Sequence, residues 1–477
     1  MQPFSSLEER LERQEMIRMM RETPPEMIEA HGQMLTLEAF HRIAQTVPAY
    51  AQALRDANVD PRSVDSIEAF VAKAPLLDKH NTFGAHPISA LCVDGNLEGV
   101  RSLLTSSGHS GVFSFGVNTR DNLLRSARSI DTGLQYLFNV DERSTLLINC
   151  LPMGVKVHTN AAVLAETSVR DDMVYAVVKK FAAEFEQIIM LGEGSFIKKI
   201  VEDGARLHGI DWPKLKVHMV TGEEGIAENY RTYLAELLGI DDIDNPADKL
   251  IGSSMGVAEL DLNIFHETRE AIRIRRLAHK NPTLRKALFG EQVNFCPMFF
   301  ARYPNRCYVE TIDAGGGHEE LVISMLSPEM KLPLLRYKAG DFGRLFSYEQ
   351  VVNTLAAHDI DITPDLKLPF LAAYGRGKAL AHNGGQIFPE AVKEALYFNH
   401  DIAESITGNF RLWHDSGVAR LDIQLRQQYK SAPAAEDRLM SALKEYSGTL
   451  PDRIVFHPYE TFPYNMSVDW ERKFAYL

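Results

Sequence analysis

The stretch "KLKVHMVTGEEGIAENYRTYLAELLG" (Lys214–Gly239) decides the fold class. Its first part alternates into a short apolar strand and stops at the turn "TGEEG". The second part repeats apolar residues at helical spacing and ends at Gly239, the residue type that closes a helix in the left-handed conformation. Strand, glycine turn and helix in that order are one unit of an α/β fold. Working outward, "TLLINCL" (Thr145–Leu151) is continuously apolar, as a strand covered on both faces must be. Strand and helix patterns alternate from about residue 100 to 260, which predicts a largely parallel sheet.

The flanks read differently. The first 80 or so residues are helical in pattern: Ser6 and Glu9 fit a capping box ahead of Leu7, Leu11, Ile17 and Met20, and one helix is expected through "FHRIAQTVPAYAQALRDA" (Phe40–Ala57). Residues 295–350 are β-rich, with a hairpin closed by Gly315, Gly316 and Gly317. A last segment of about 100 residues carries the helix "PEAVKEALYF", with Pro389 in its first turn. The expectation is an α/β protein with a large multi-lobed N-terminal domain over 1–375, including a helical lead-in over 1–85 and a β-rich lobe over 295–350. Its sheets are mostly parallel. A small mobile α+β domain over 376–477 follows.

Composition narrows the function classes. The 477 residues carry a net charge of −13, which argues against a surface that coats nucleic acid. The four cysteines have no C-x-x-C spacing, so neither a zinc knuckle nor a disulfide framework is expected, and a reducing cytoplasm is the default. The start is charged rather than apolar, and no run reaches the roughly 20 apolar residues of a membrane span. No Ser-His-Asp arrangement is recognisable, and "HETRE" (His266–Glu270) is not the H-E-x-x-H zinc pattern.

The chemistry concentrates in five places. "TSSGHSG" (Thr105–Gly111) offers small hydroxyls and backbone amides that can nest an anion, without the lysine of a phosphate loop. "VTGEEG" (Val220–Gly225), "GSSMGVAEL" (Gly252–Leu260), "LRYKAGDFGRL" (Leu335–Leu345) and "YGRGKALAHNGGQIFPE" (Tyr374–Glu390) follow, and a single lysine, Lys473, stands near the end. In this order they resemble the core motifs of the adenylate-forming superfamily that contains the acyl-CoA ligases. The phenylacetate–CoA ligase and coenzyme F390 synthetase-like branch matches best. The resemblance spans nearly the whole chain, from "VDSIEAFVAKAPLLDKHNTF" to "FPYNMSVDWERKFAYL".

That resemblance implies a role for each motif. Ser106, Ser107, Gly108, His109, Ser110 and Gly111 would surround the triphosphate of ATP. Phe113 and Ser114 stand where the family carries a lysine, and His109 replaces a threonine. Gly222, Glu223 and Glu224 would line the adenine side; Glu223 fits equally as an N-terminal helix charge. Ser254, Met255 and Gly256 would border the adenine, and Glu259 would ligate Mg²⁺, with Ala258 in place of a threonine. Asp341 would accept from the ribose hydroxyls, with Ala339 as a second lost hydroxyl. Arg376 would contact ribose or phosphate, Lys378 would be the hinge, and Lys473 the catalytic lysine. Met153, Val155 and His158 are candidates for the acyl pocket, His158 being equally a structural histidine.

The implied reaction needs no protein nucleophile. The carboxylate of a small-molecule acid attacks the α-phosphate of ATP, pyrophosphate leaves, and the protein positions two anions and disperses charge. Lys473 and Glu259 are the expected catalytic groups. The acyl-adenylate then passes to a thiol, with coenzyme A expected. The alternatives are an acyl-carrier or acyl-acceptor protein thiol, and a nucleotide-binding protein that has lost turnover.

Overall fold

The computed structural model describes residues 5–106, 111–152, 154–222, 224–245, 248–291, 294–315, 317–431, 435–463 and 476–477. The chain opens with the helix Leu7–Glu22. Ser6 caps it: its hydroxyl oxygen accepts from the Glu9 amide, and the Glu9 carboxylate accepts from the Ser6 amide. The single helix expected through Phe40–Ala57 is two helices, Pro25–Thr46 and Pro48–Asp56. Pro48 has no amide to donate and forces the residue before it out of helical geometry. Val47 is extended, at φ −108° and ψ 108°.

Two strands, β1 (Val100–Thr105) and β2 (Phe115–Thr119), form an antiparallel hairpin on their own. The strands β3 (Thr145–Cys150), β4 (Val163–Glu166), β5 (Gln187–Gly192), β6 (Val217–Thr221) and β7 (Ile251–Val257) are parallel neighbours in the order β4-β3-β5-β6-β7. Every residue of β3 is buried, as a strand covered on both faces requires. The helices Asp171–Phe181, Gly194–His208 and Glu228–Leu238 make the crossovers. Gly239 ends the last of these in the left-handed region, at φ +64°.

The sheet does not stop there. β8 (Asp261–His266), β9 (Met298–Ala301), β10 (Cys307–Asp313), β11 (Glu319–Met325), β12 (Tyr337–Phe346) and β13 (Phe370–Gly375) continue it antiparallel, giving eleven strands in one sheet. The β-rich stretch is thus the antiparallel half of the central sheet. Gly315 and Gly317 stand in the β10–β11 hairpin connection, with Asp313 opposite Glu319; Gly316 lies outside the described residues. A short hairpin of β14 (Leu380–His382) and β15 (Gly385–Ile387) leads to the helix Pro389–Leu396. The small sheet β16 (Ile406–Asp415), β17 (Val418–Leu425) and β18 (Arg453–His457) follows, with the helix Ala435–Tyr446 packed against it.

Candidate functional site

Parallel strands present their carboxyl ends along one edge, where ligands of open α/β sheets bind. Here β5 ends at Gly192, β6 at Thr221 and β3 at Cys150. Thr221 pairs with Ser253 across β6 and β7, so Gly222 and Ser254 are the next residues out on adjacent strands. The Gly222 amide donates to the Gly192 carbonyl at 3.0 Å, tying the two strand ends together. A Cβ on Gly222 would stand 3.4 Å from the Leu151 side chain, so the segment beginning at Leu151 lies directly against this turn. Val155 and His158 in that segment are half-buried, and the Val155 carbonyl accepts from Asn149. Met153 and Glu223 lie outside the described residues.

The Ser/Gly stretch is the loop of the β1–β2 hairpin. Ser106 closes its mouth: its amide donates to the Ser114 carbonyl, and its hydroxyl oxygen accepts from the Ser114 amide, each at 3.0 Å. Gly111 is at φ +82°. Ser107, Gly108, His109 and Ser110 lie outside the described residues. At the base of the hairpin a side chain on Gly116 would run into the Ala258 carbonyl oxygen. That approach sets the loop's stem directly on the residue before Glu259.

Glu259 is 3% exposed. The Tyr337 hydroxyl donates to its Oε1 at 2.7 Å, and Lys79 Nζ stands 3.7 Å from the same oxygen. Burial, then the Glu259 charge, push the Tyr337 hydroxyl well above its ordinary pKa, so it remains a donor. Lys79 reaches the site because Leu77 bridges Tyr337 in parallel: the Leu77 amide donates to the Arg336 carbonyl, and the Lys338 amide to the Leu77 carbonyl. Behind Glu259 is a polar cavity of about 20 Å³ bordered by Gly116, Asn118, Asn122 and Asp261, room for about one water. One buried carboxylate among oxygen donors suits Mg²⁺, which takes one or two carboxylates and completes its shell with phosphate oxygens and waters. No cluster of three or more His, Cys, Asp or Glu able to hold a metal occurs among the described residues.

A β-bulge presents Asp341. Across β11 and β12, Val322 pairs with Lys338 but Glu320 pairs with Phe342, so Ala339, Gly340 and Asp341 leave the ladder. Gly340, at φ +85°, supplies the turn. Phe342 pairs with Gly375 on the other side, which sets Asp341 and Arg376 on the same flank of that pair. Two motifs thirty-five residues apart in sequence are thus brought together. Arg376 and Lys378 are exposed.

Glu224 faces the C-terminal segment. Lys393 Nζ donates to its Oε2 at 2.7 Å, and the Tyr476 hydroxyl donates to the same oxygen at 2.9 Å. Glu193 and Glu390 are close by, and burial raises both carboxyl pKa values, with Glu224 adding to the effect. Burial opposes the Lys393 ammonium, yet Glu224 overrides it and holds the lysine above its ordinary pKa. Lys473 lies outside the described residues. Sequence reasoning missed Lys79, Tyr337, Lys393 and Tyr476. Tyr337 sits inside a motif that had been singled out for Asp341, whereas nothing local to Lys79 or Lys393 distinguishes them from surface lysines.

No protein-family model matches the sequence, and no curated protein is detectably similar to it in sequence. Solved structures are similar in fold. A 2-hydroxyisobutyryl-CoA ligase in its postadenylation state, bound to R3-HIB-AMP, overlays with a TM-score of 0.68 at 12% identity, covering 96% of this chain and 91% of that one. The open conformation of that ligase, with 2-HIB-AMP and CoA, gives 0.58 at 13% identity over 93% and 90%. Its thioesterification state gives 0.56 at 13% identity over 93% and 89%. These overlays show that the chain shares the fold of that CoA ligase over nearly its whole length.

Proposed function

We propose that this protein activates a small carboxylic acid with ATP to an acyl-adenylate and transfers the acyl group to a thiol, that of coenzyme A. Two observations support this reading: the stem of the Ser/Gly hairpin sits on the residue before Glu259, and the Asp341 bulge sits beside Arg376. In this reading the loop from Ser106 to Gly111 cradles the phosphates, Asp341 accepts from the ribose, and Gly222, Ser254 and Met255 border the adenine. Bound Mg²⁺ would be held by Glu259 and would neutralise phosphate charge. The loop lacks a lysine, but Lys79 brings an ammonium to 3.7 Å from Glu259, so the phosphate side retains a fixed cation.

The acid's carboxylate attacks the α-phosphate in line while pyrophosphate leaves, with Lys473 offsetting charge between the two anions. Met153, Val155 and His158 are assigned to the acyl side, and Leu151 in the same stretch of sequence lies against Gly222. Residues 376–477 act as the moving unit, turning about Lys378 between the two half-reactions.

A second reading, a nucleotide-binding protein without turnover, is favoured by Ala258, Ala339 and the loop that lacks a lysine. ATP–pyrophosphate exchange with a panel of carboxylic acids separates the two. Acid-dependent exchange followed by thiol-dependent thioester formation is expected. ATP binding without exchange for any acid would favour the second reading, and the absence of ATP binding would overturn both.

A further inference from the structure

Two donors from the C-terminal segment converge on one acceptor oxygen of the large sheet's edge. The acceptor is Oε2 of Glu224, in the turn after β6; the donors are Lys393 at 2.7 Å and the Tyr476 hydroxyl at 2.9 Å. Tyr476 is itself fixed to the small sheet by two further contacts: its carbonyl accepts from the Leu412 amide of β16 at 2.8 Å, and its ring stacks on Phe410 at 4.4 Å. The Lys393 ammonium, from the helix Pro389–Leu396, lies 4.5 Å from the ring centre. The tyrosine is therefore rigid on the small-sheet side, and its hydroxyl is a directed contact across to the large one. A hydroxyl held on a carboxylate by a stacked ring has little rotamer freedom left to lose, so the contact is specific in position as well as favourable.

Resting on the acid-activation reading, we propose that Tyr476 is a positioning residue. Its hydroxyl docks the end of the C-terminal segment on Glu224 during adenylation and lets go for thiol transfer. Tyr476 stands three residues after Lys473, and three residues span at most about 10 Å of extended chain. Docking Tyr476 therefore tethers that lysine to the nucleotide-side turn. Other contacts also join the two parts, such as Glu394 accepting from the amides of Glu228 and Asn229 at 2.9 Å, but they lie far from Lys473 in sequence.

Tyr476→Phe is the test, because it keeps the stacking and the backbone bond and removes only the hydroxyl. Acid-dependent ATP–pyrophosphate exchange is expected to fall about tenfold, the scale of a hydrogen bond to a charged group. Thioester formation from pre-formed acyl-adenylate should stay within about twofold of the parent. A tyrosine that only stabilised the fold would lower both half-reactions together, and that result overturns the proposal, as does unchanged exchange. A second readout needs no turnover. Spin labels on Lys180→Cys and Glu436→Cys, both exposed positions, report the distance between the two parts, since the four native cysteines are buried. Tyr476→Phe is expected to broaden the distance distribution in the presence of ATP and magnesium, and an unaltered distribution refutes the docking role. Should the parent protein show no exchange with any acid, the activity reading fails, and the distance measurement still decides the contact.

Discussion

Replacing Glu259 by glutamine separates the charge of this residue from its shape. Glutamine keeps an oxygen where Tyr337 donates at 2.7 Å, so the buried hydroxyl is not orphaned and the fold should lose only about 1 kcal/mol. The charge is another matter. At 3.7 Å, and with an effective dielectric of about 20, Lys79 and Glu259 attract by about 4 kcal/mol before any discount. Lys79 is a fifth exposed, so solvent screens part of that, and a few kcal/mol is the ceiling on what the pair contributes. A cation and triphosphate seated on the same carboxylate would lose a comparable amount, on the order of 3 kcal/mol, or more than a hundredfold in rate. The assay is ATP–pyrophosphate exchange as a function of magnesium concentration, with thermal melts alongside. Glu259→Gln should melt within a few degrees of the parent, exchange on the order of a hundredfold more slowly, and need more magnesium to reach half its rate. A folded variant with the parent's rate and magnesium dependence would refute the placement of the cation on Glu259.

Asp341→Ala should weaken ATP binding about tenfold or more by calorimetric titration, because two ribose hydroxyls lose a charged acceptor; unchanged affinity in a folded variant would remove the ribose assignment. Gly116→Ala should disable exchange and lower stability together, since its Cβ collides with the Ala258 carbonyl oxygen and displaces the strand that precedes Glu259; a stable, active variant would show that the hairpin stem does not set the site. Stability should fall as the medium is acidified below about pH 6.5, the ordinary histidine value. Burial lowers His218 to about 3 and His266 to about 4, so the unfolded chain binds more protons than the folded one between those values and 6.5. The contribution is fully present above the unfolded value and disappears toward the folded ones, by about 2 kcal/mol for each histidine between pH 7 and 5. Urea midpoints that coincide at those two pH values would contradict it.

What the sequence disclosed depended on how local the signal was. The β6–turn–helix unit, the capped first helix, the glycine hairpin and Pro389 are each set by residues within one or two turns of chain, and each appears as read. The break at Pro48 was legible too, but apolar periodicity outweighed it in the reading, whereas a missing amide and a clash decide the backbone. The joining of the β-rich stretch to the parallel half was not legible, because strand order depends on non-local pairings such as Met298 with Ala373, 75 residues apart. The same holds for the site. Asp341 could be singled out from its motif, but the bulge that presents it needs the register of β11 and β12. Lys79 acquires its meaning only through a bridge between Leu77 and Tyr337, 260 residues apart.

The contacts that join the two sheets bear on whether residues 376–477 turn. Arg426 pairs with Glu202 and Asp203, each at 2.7 Å, and Lys198 donates to Glu202 at 2.6 Å and to the Ile406 carbonyl at 2.7 Å. Tyr397 packs on the rings of Tyr230 and Tyr233. An apolar face of this extent would resist separation, because nothing compensates its exposure to water. Charged groups behave differently: on separation each regains hydration, which offsets much of the lost pairing, so the cost of turning falls mainly on the apolar residues that join the two parts in one cluster, Ile200, Leu396 and Phe410 among them. Burial also lowers Lys198 to about 8, so its charge is already only weakly favoured in place. The joined arrangement is then the resting state, and turning requires a ligand that binds the turned form more tightly, by at least the free-energy difference between them. In the proposed cycle the thiol substrate has that role, and the departure of pyrophosphate removes the anion that had favoured the joined form.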